Sequence, residues 1–181
     1  MSSSKPGTRL GRRALFLAPL GLVLAGCGFH PLYAPRGPRD WDPDLAAINV
    51  VKISDRPGQI LAQALRENLN PSGVSVAKRW DLRIGLRVIR SDLGIQRNAT
   101  ATTSELTVSA VFQIVDRKGT VVYTSSSNAV GDFDQLEDAY ATQVAADGAR
   151  DRAIRQVADE ITLRLAIFVR DRRAKAASAA R

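Results

Sequence analysis

The chain has 181 residues, enough for one domain with a real core, and carries 26 Lys and Arg against 18 Asp and Glu. Its one cysteine excludes an intrachain disulfide, and a single histidine with no further His or Cys speaks against a metal centre. The formal charge of +8 does not mark a nucleic-acid binder: Lys5, Arg9, Arg12 and Arg13 supply +4, residues 170–181 supply another +4, and the part between is neutral.

Behind the four leading basic residues lies an apolar run, 14–25, with no acidic residue before it. A basic start, about a dozen apolar residues and a small pair before a break form the anatomy of an export signal. The run falls short of the about 20 residues that a membrane span needs. It closes on Leu24-Ala25-Gly26-Cys27, the pattern of a lipobox, in which the thiol receives a diacylglycerol and the chain is cut just before it. Residues 1–26 then read as a lipoprotein signal peptide, with Cys27 as the lipidated first residue. An ordinary buried thiol is the competing reading, but it leaves the basic lead, the apolar run and the small pair unexplained. Each buried methylene contributes about 0.8 kcal/mol, so a protein with two or more acyl chains stays on its membrane. Glycine at position 28, where inner-membrane retention often has aspartate, favours the outer membrane.

Residues 27–43 read as a lipidated tether, because Pro31, Pro35, Pro38 and Pro43 with Gly28 and Gly37 disfavour regular structure. Trp41 is a candidate first contact with the domain. A domain over 44–170 follows. Ile48, Val50, Val51 and Ile53 predict a strand within 44–54. Asp55 is placed to cap a helix, with Pro57 tolerated in its first turn. Ile60, Leu61, Ala64, Leu65, Asn68 and Leu69 give that helix an apolar stripe, and Asn70-Pro71-Ser72-Gly73 ends it.

Strict alternation comes next. Leu82, Ile84, Leu86 and Val88 point one way, with Arg83, Gly85, Arg87 and Ile89 opposite. Leu106, Val108, Ala110, Phe112 and Ile114 repeat it, with Thr107, Ser109, Val111, Gln113 and Val115 opposite. Asp116-Arg117-Lys118-Gly119 predicts a hairpin turn into a strand over 120–127. Asp134 and Glu137 form a candidate capping box for a long last helix. Its stripe is Tyr140, Val144, Ile154, Val157, Ile161, Leu165 and Phe168, with Gly148 a weak point or a close-packing site. From Ala174 the pattern predicts fraying, so 171–181 reads as a basic, disordered tail. The order β-α-β-β-β-α predicts an α+β two-layer sandwich: a four-stranded, mainly antiparallel sheet covered on one face by two helices.

Between Lys78 and Arg97 stand six basic residues and two acids, whereas 131–148 holds Asp132, Asp134, Glu137, Asp138 and Asp147 with no base. Arginine forks bind phosphate bidentately. Arg83, Arg87, Arg90 and Arg97 are therefore candidates for contact with a phosphate-bearing ligand; a solvated strand face is the alternative. For catalysis there is no Ser/His/acid set, no metal-ligand spacing and no phosphate-cradling glycine loop, so neither an enzyme nor a cofactor is expected.

Cys27-Gly28-Phe29-His30-Pro31-Leu32-Tyr33 closely resembles the start of the mature LPS-assembly lipoprotein (LptE) family. Ser104-Glu105-Leu106 entering the hairpin, Asp116 and Gly119 at its turn, Tyr140-Ala141 and Ala146-Asp147-Gly148-Ala149-Arg150 are similar in pattern. The resemblance covers the mature chain in element order, except the extension after Arg170. It implies a non-enzymatic lipoprotein on the periplasmic face of the outer membrane. Such a protein would plug an LptD-like β-barrel translocon, assist its folding and help deliver lipopolysaccharide, whose phosphate or core-sugar groups Arg83, Arg87, Arg90 and Arg97 would then contact. Two other classes fit the residues: an auxiliary lipoprotein of an envelope lipid-transport ATPase, and a tether between outer membrane and cell wall.

Overall fold

The computed structural model describes residues 42–95 and 101–179. Cys27 and the tether through Trp41, His30 included, and Arg97 lie outside the described residues, while Asp42 and Pro43 at the tether's end begin the first helix. The elements are α1 (Pro43–Ala46), β1 (Ile48–Val50), α2 (Arg56–Leu69), β2 (Trp80–Ile95), β3 (Ala101–Asp116), β4 (Val121–Asp134) and α3 (Ala139–Ala179).

The four strands form one sheet in the order β1-β2-β3-β4. β1 pairs with β2 in parallel, Ile48 opposite Trp80; the other two pairings are antiparallel. α2 is the crossover between the parallel strands, and α2 and α3 pack on the same face of the sheet and on each other. Both expected layers are present, with the helices on one side only.

Local chemistry accounts for most of the boundaries. β1 ends at Val50, short of the Val51 and Ile53 of the apolar cluster, and in front of it Asp42 caps a turn of helix: its Oδ1 accepts from Asp44 N at 2.9 Å, and Pro43 sits at the first helical position. Asp55 caps α2 as expected, accepting from Gly58 N at 3.2 Å. Leu61, Leu65 and Leu69 bury the α2 stripe, while Asn68 faces out and donates to Asp159 of α3 at 2.9 Å. The β3–β4 turn closes on Asp116, whose carboxylate accepts from Lys118 N (2.8 Å) and Thr120 N (2.9 Å), with Gly119 at φ +83°.

Four expectations for the second half are corrected. β4 continues to Asp134, paired with Thr103. The cap of α3 is therefore Asp138, which accepts from Tyr140 N (2.7 Å) and Ala141 N (3.3 Å), and Asp134 is a strand residue instead. Tyr140 and Val144 are 78% and 53% exposed, so the buried stripe of α3 begins at Ala146 and Ala149. The helix also runs to Ala179, past the fraying point read at Ala174, consistent with the high helix propensity of alanine. Arg173 further ties that end to the body through Asp42 and Asp44.

The main core lies between the sheet and the helices. Phe112, Leu82, Ile114, Leu61, Ile154, Ile161 and Leu165 are fully buried in it. A smaller cluster of Leu106, Phe133, Ala146 and Ala149 closes the far end. The close approach of helix to sheet falls at Gly131, where a Cβ would lie 2.6 Å from the Ala149 carbonyl oxygen, and not at Gly148, whose added Cβ would make ordinary contact.

Candidate functional site

The face of the sheet turned away from the helices carries no covering element among the described residues. Strand register assembles it row by row: Arg83–Gln113–Thr124, Gly85–Val111–Ser126, Arg87–Ser109–Asn128 and Ile89–Thr107–Val130. All the polar residues expected to face outward lie here on one surface. The two arginines are separated by about 13 Å along β2. Neither has a carboxylate within ion-pairing distance among the described residues. Apolar groups stand among them: Val111, between the two arginines, is 56% exposed, and Ile89 and Val130, in the row beyond Arg87, are also open. The face thus offers cationic forks, hydroxyls and isolated aliphatic groups, a mixture suited to an amphipathic ligand or the polar wall of a larger pore.

Arg90 does not join this surface. An even position on β2, paired with buried Leu106, it lies on the helix side, and its guanidinium stacks 4.9 Å over the Phe133 ring. Its Nε donates to Asp92 (3.1 Å) and a terminal nitrogen to Ser104 Oγ (3.2 Å). The buried Ser104 hydroxyl donates to Asp92 at 2.6 Å and accepts from Gln135 at 2.9 Å. These bonds, the Ser104 hydroxyl first and then Arg90, hold the Asp92 carboxyl below its ordinary pKa. Arg90 therefore serves a polar knot that closes the far end of the sandwich. The four-arginine cluster read from the sequence resolves into Arg83 and Arg87 on the open face, Arg90 on the other, and Arg97 outside the described residues.

A second polar knot joins α3 to β4. Ser127 donates to Glu160 at 2.5 Å; Arg164 donates to the same carboxylate and, at 3.0 Å, to Ser125. The Ser127 bond and then Arg164 keep Glu160 below the usual glutamate range. Sequence reading missed both knots. It also missed the exposed apolar patch of Leu136, Tyr140 and Val144 beside the far end of the sheet. Among the described residues no group of three or more His, Cys, Asp or Glu is placed to hold a metal, and no helix is long and apolar enough to cross a membrane.

The family profile LptE, Lipopolysaccharide-assembly, matches residues 45–165, from α1 through the buried stripe of α3. The chain belongs to the LptE family. Its role accordingly lies in lipopolysaccharide assembly. A candidate lipoprotein of Caulobacter crescentus CB15 superposes with a TM-score of 0.57 at 24% identity, over 69% of this chain and 92% of that one. Rare lipoprotein B of Shewanella oneidensis gives 0.54 at 16%, over 68% and 95%. A minor lipoprotein of Acinetobacter baumannii gives 0.53 at 19%, over 67% and 89%. At these identities the three share the fold. No curated protein matches the chain by sequence. Asp42, Arg172, Arg173 and Lys175 fall outside the segment that the family profile matches.

Proposed function

We propose that the protein is a non-enzymatic lipoprotein, anchored through Cys27 to the periplasmic face of the outer membrane. It plugs and assists the assembly of an LptD-like β-barrel and helps deliver lipopolysaccharide through it. The observation that carries this reading is the uncovered sheet face of a family member in lipopolysaccharide assembly. That face is polar enough to lie against a water-lined barrel interior, and it holds two arginines without acidic partners among the described residues. In this reading Arg83 and Arg87 meet phosphate or core-sugar groups of lipopolysaccharide, while Ser109, Thr107 and Gln113 hydrogen-bond the pore wall. The exposed Leu136, Tyr140 and Val144 supply an apolar foothold beside them.

Native co-purification tests it. Protein solubilised from outer membranes is expected to bring down one large β-barrel, and intact mass is expected to show an acylated chain beginning at Cys27. Recovery with an inner-membrane ATPase complex, or with peptidoglycan and no barrel, would replace this reading with one of its two alternatives.

A further inference from the structure

The two ends of the body differ in charge. Where the chain joins the body at Asp42, one end gathers the starts of β2 and β4, the β3–β4 turn and the last turns of α3. Contacts define this end: the Phe168 ring lies 6.4 Å from Trp80 and 5.0 Å from Tyr123, Arg172 lies 5.7 Å from the Phe168 centroid, and Arg117 donates to the Lys78 carbonyl at 2.7 Å. Arg117, Lys118, Arg172 and Lys175 stand here, all exposed, with no carboxylate in ion-pairing distance among the described residues, while the Lys78 ammonium is held by the Ala46 carbonyl at 2.7 Å. The opposite end carries the acid-only stretch 131–148, and Arg90 and Arg150 beside it are held on Asp92 and Asp147.

Acids also sit at the basic end: Asp116 accepts from the Lys118 and Thr120 backbone N–H groups, Asp171 lies 3.8 Å from Arg170, and Asp42 and Asp44 are bound by arginines. Arg173 donates to Asp44 at 2.6 Å and to Asp42 at 3.0 Å, and Arg79 donates to Asp44 at 3.0 Å. The carboxylates at the point where the tether would begin are thus neutralised in place. The same bonds fix α1 to the end of α3, so the tether starts from a defined spot on the basic surface.

We propose that this end is a membrane-facing surface that seats on the headgroups of anionic phospholipid, with the acidic end held away from the bilayer. The inference rests on the lipid-anchor reading above, since anchoring through Cys27 brings this end within a tether's length of the leaflet. Each Lys or Arg within reach of an anionic surface multiplies its occupancy by about fivefold, and the effect extends about a Debye length, near 8 Å at physiological salt. Four exposed cations at one end with no acidic partner among the described residues make a strong orienting device. A plug seated from the periplasmic mouth of a barrel would keep this end level with the inner leaflet, so the two readings agree.

The test uses the full acylated protein in vesicles of phosphatidylcholine alone or mixed with phosphatidylglycerol. With the only native thiol occupied by lipid, Ala177→Cys and Glu137→Cys each offer one labelling site, at the basic and acidic ends. Energy transfer from the label to a headgroup acceptor is expected to be higher from position 177 than from 137 on the anionic vesicles. High salt, and the reversal Lys118→Glu/Arg172→Glu/Lys175→Glu, are expected to erase that difference, a fall in seated population of at least about a hundredfold. Equal transfer from both ends on anionic vesicles, or a difference indifferent to salt and to the reversal, would overturn the proposal. Failure of the anchor reading shows separately, as loss of the protein from phosphatidylcholine vesicles on flotation. In that case salt-sensitive flotation with anionic vesicles alone still supports the basic surface, and no flotation with either overturns it.

Discussion

The two faces of the sheet are built from the same strands and have opposite fates. On the helix side β3 contributes Val108, Ala110, Phe112 and Ile114, all fully buried; on the other, from the alternate positions, it contributes Thr107, Ser109, Val111 and Gln113, under no cover. A sheet face left open in a stable domain has no packing reason for its residue choice beyond solubility. Exposed Ile89, Val111 and Val130 are not solubility choices. The difference teaches that residue parity separates stability from availability along most of β2 and β3: even positions hold the fold and odd ones stay open, except Val115, expected to face outward but buried where the register shifts at Ile114/Val115.

The sharpest break in that separation is a pair of neighbours. Phe112→Ala is expected to cost about 3–5 kcal/mol in urea unfolding, whereas Val111→Ala should stay within about 0.5 kcal/mol. Comparable losses at the two positions would mean that the open face is packed in the free protein. A smaller effect is expected where helix and sheet touch: Gly131→Ala drives a methyl against the Ala149 carbonyl and should cost about 1–3 kcal/mol, while Gly148→Ala should be neutral or mildly stabilising by helix propensity.

Acid should loosen the covered face before it affects the open one. Glu160 has a lowered folded pKa, so its contribution is fully present above the ordinary glutamate value of about 4.3 and is lost as pH falls through the lower folded one. Glu160→Gln should therefore flatten the acid side of the stability profile, a change of a few tenths of a kcal/mol given the group's exposure. A profile unchanged by Glu160→Gln would remove the Ser127–Glu160–Arg164 knot from the account. The least effect on stability, within about 0.5 kcal/mol, is expected from Arg83→Glu/Arg87→Glu, and the same pair should weaken binding of purified lipopolysaccharide. Full binding by the folded double variant would remove these arginines from the lipid site.

How much of this was legible in the sequence depends on the range of the cause. The hairpin alternation, the Asp55 cap and the Asp116 turn are local, and each stands where periodicity and side-chain chemistry placed it. The extent of β4 and the start of α3 were not, because pairing of Asp134 with Thr103 overrode a capping box that looked sound in isolation. The tail was misread for a similar reason: Arg173 finds its partners 129 and 131 residues away. Arg90 is a different kind of miss. Counting charge over a window grouped it with Arg83 and Arg87, although its even number already set it beside Leu86 and Val88. The apolar patch at Leu136, Tyr140 and Val144 was visible as spacing, but nothing local tells a stripe that meets a sheet from one that overhangs it.

Placement of a photoreactive residue on each side of the body tests the division most directly. In cells, a crosslinker replacing Val111 on the open face is expected to capture the β-barrel or lipopolysaccharide, and one replacing Glu67 on the solvent side of α2 is expected to capture far less of either. Capture from position 67 with none from 111 would contradict the claim that the uncovered face of the sheet is the working surface.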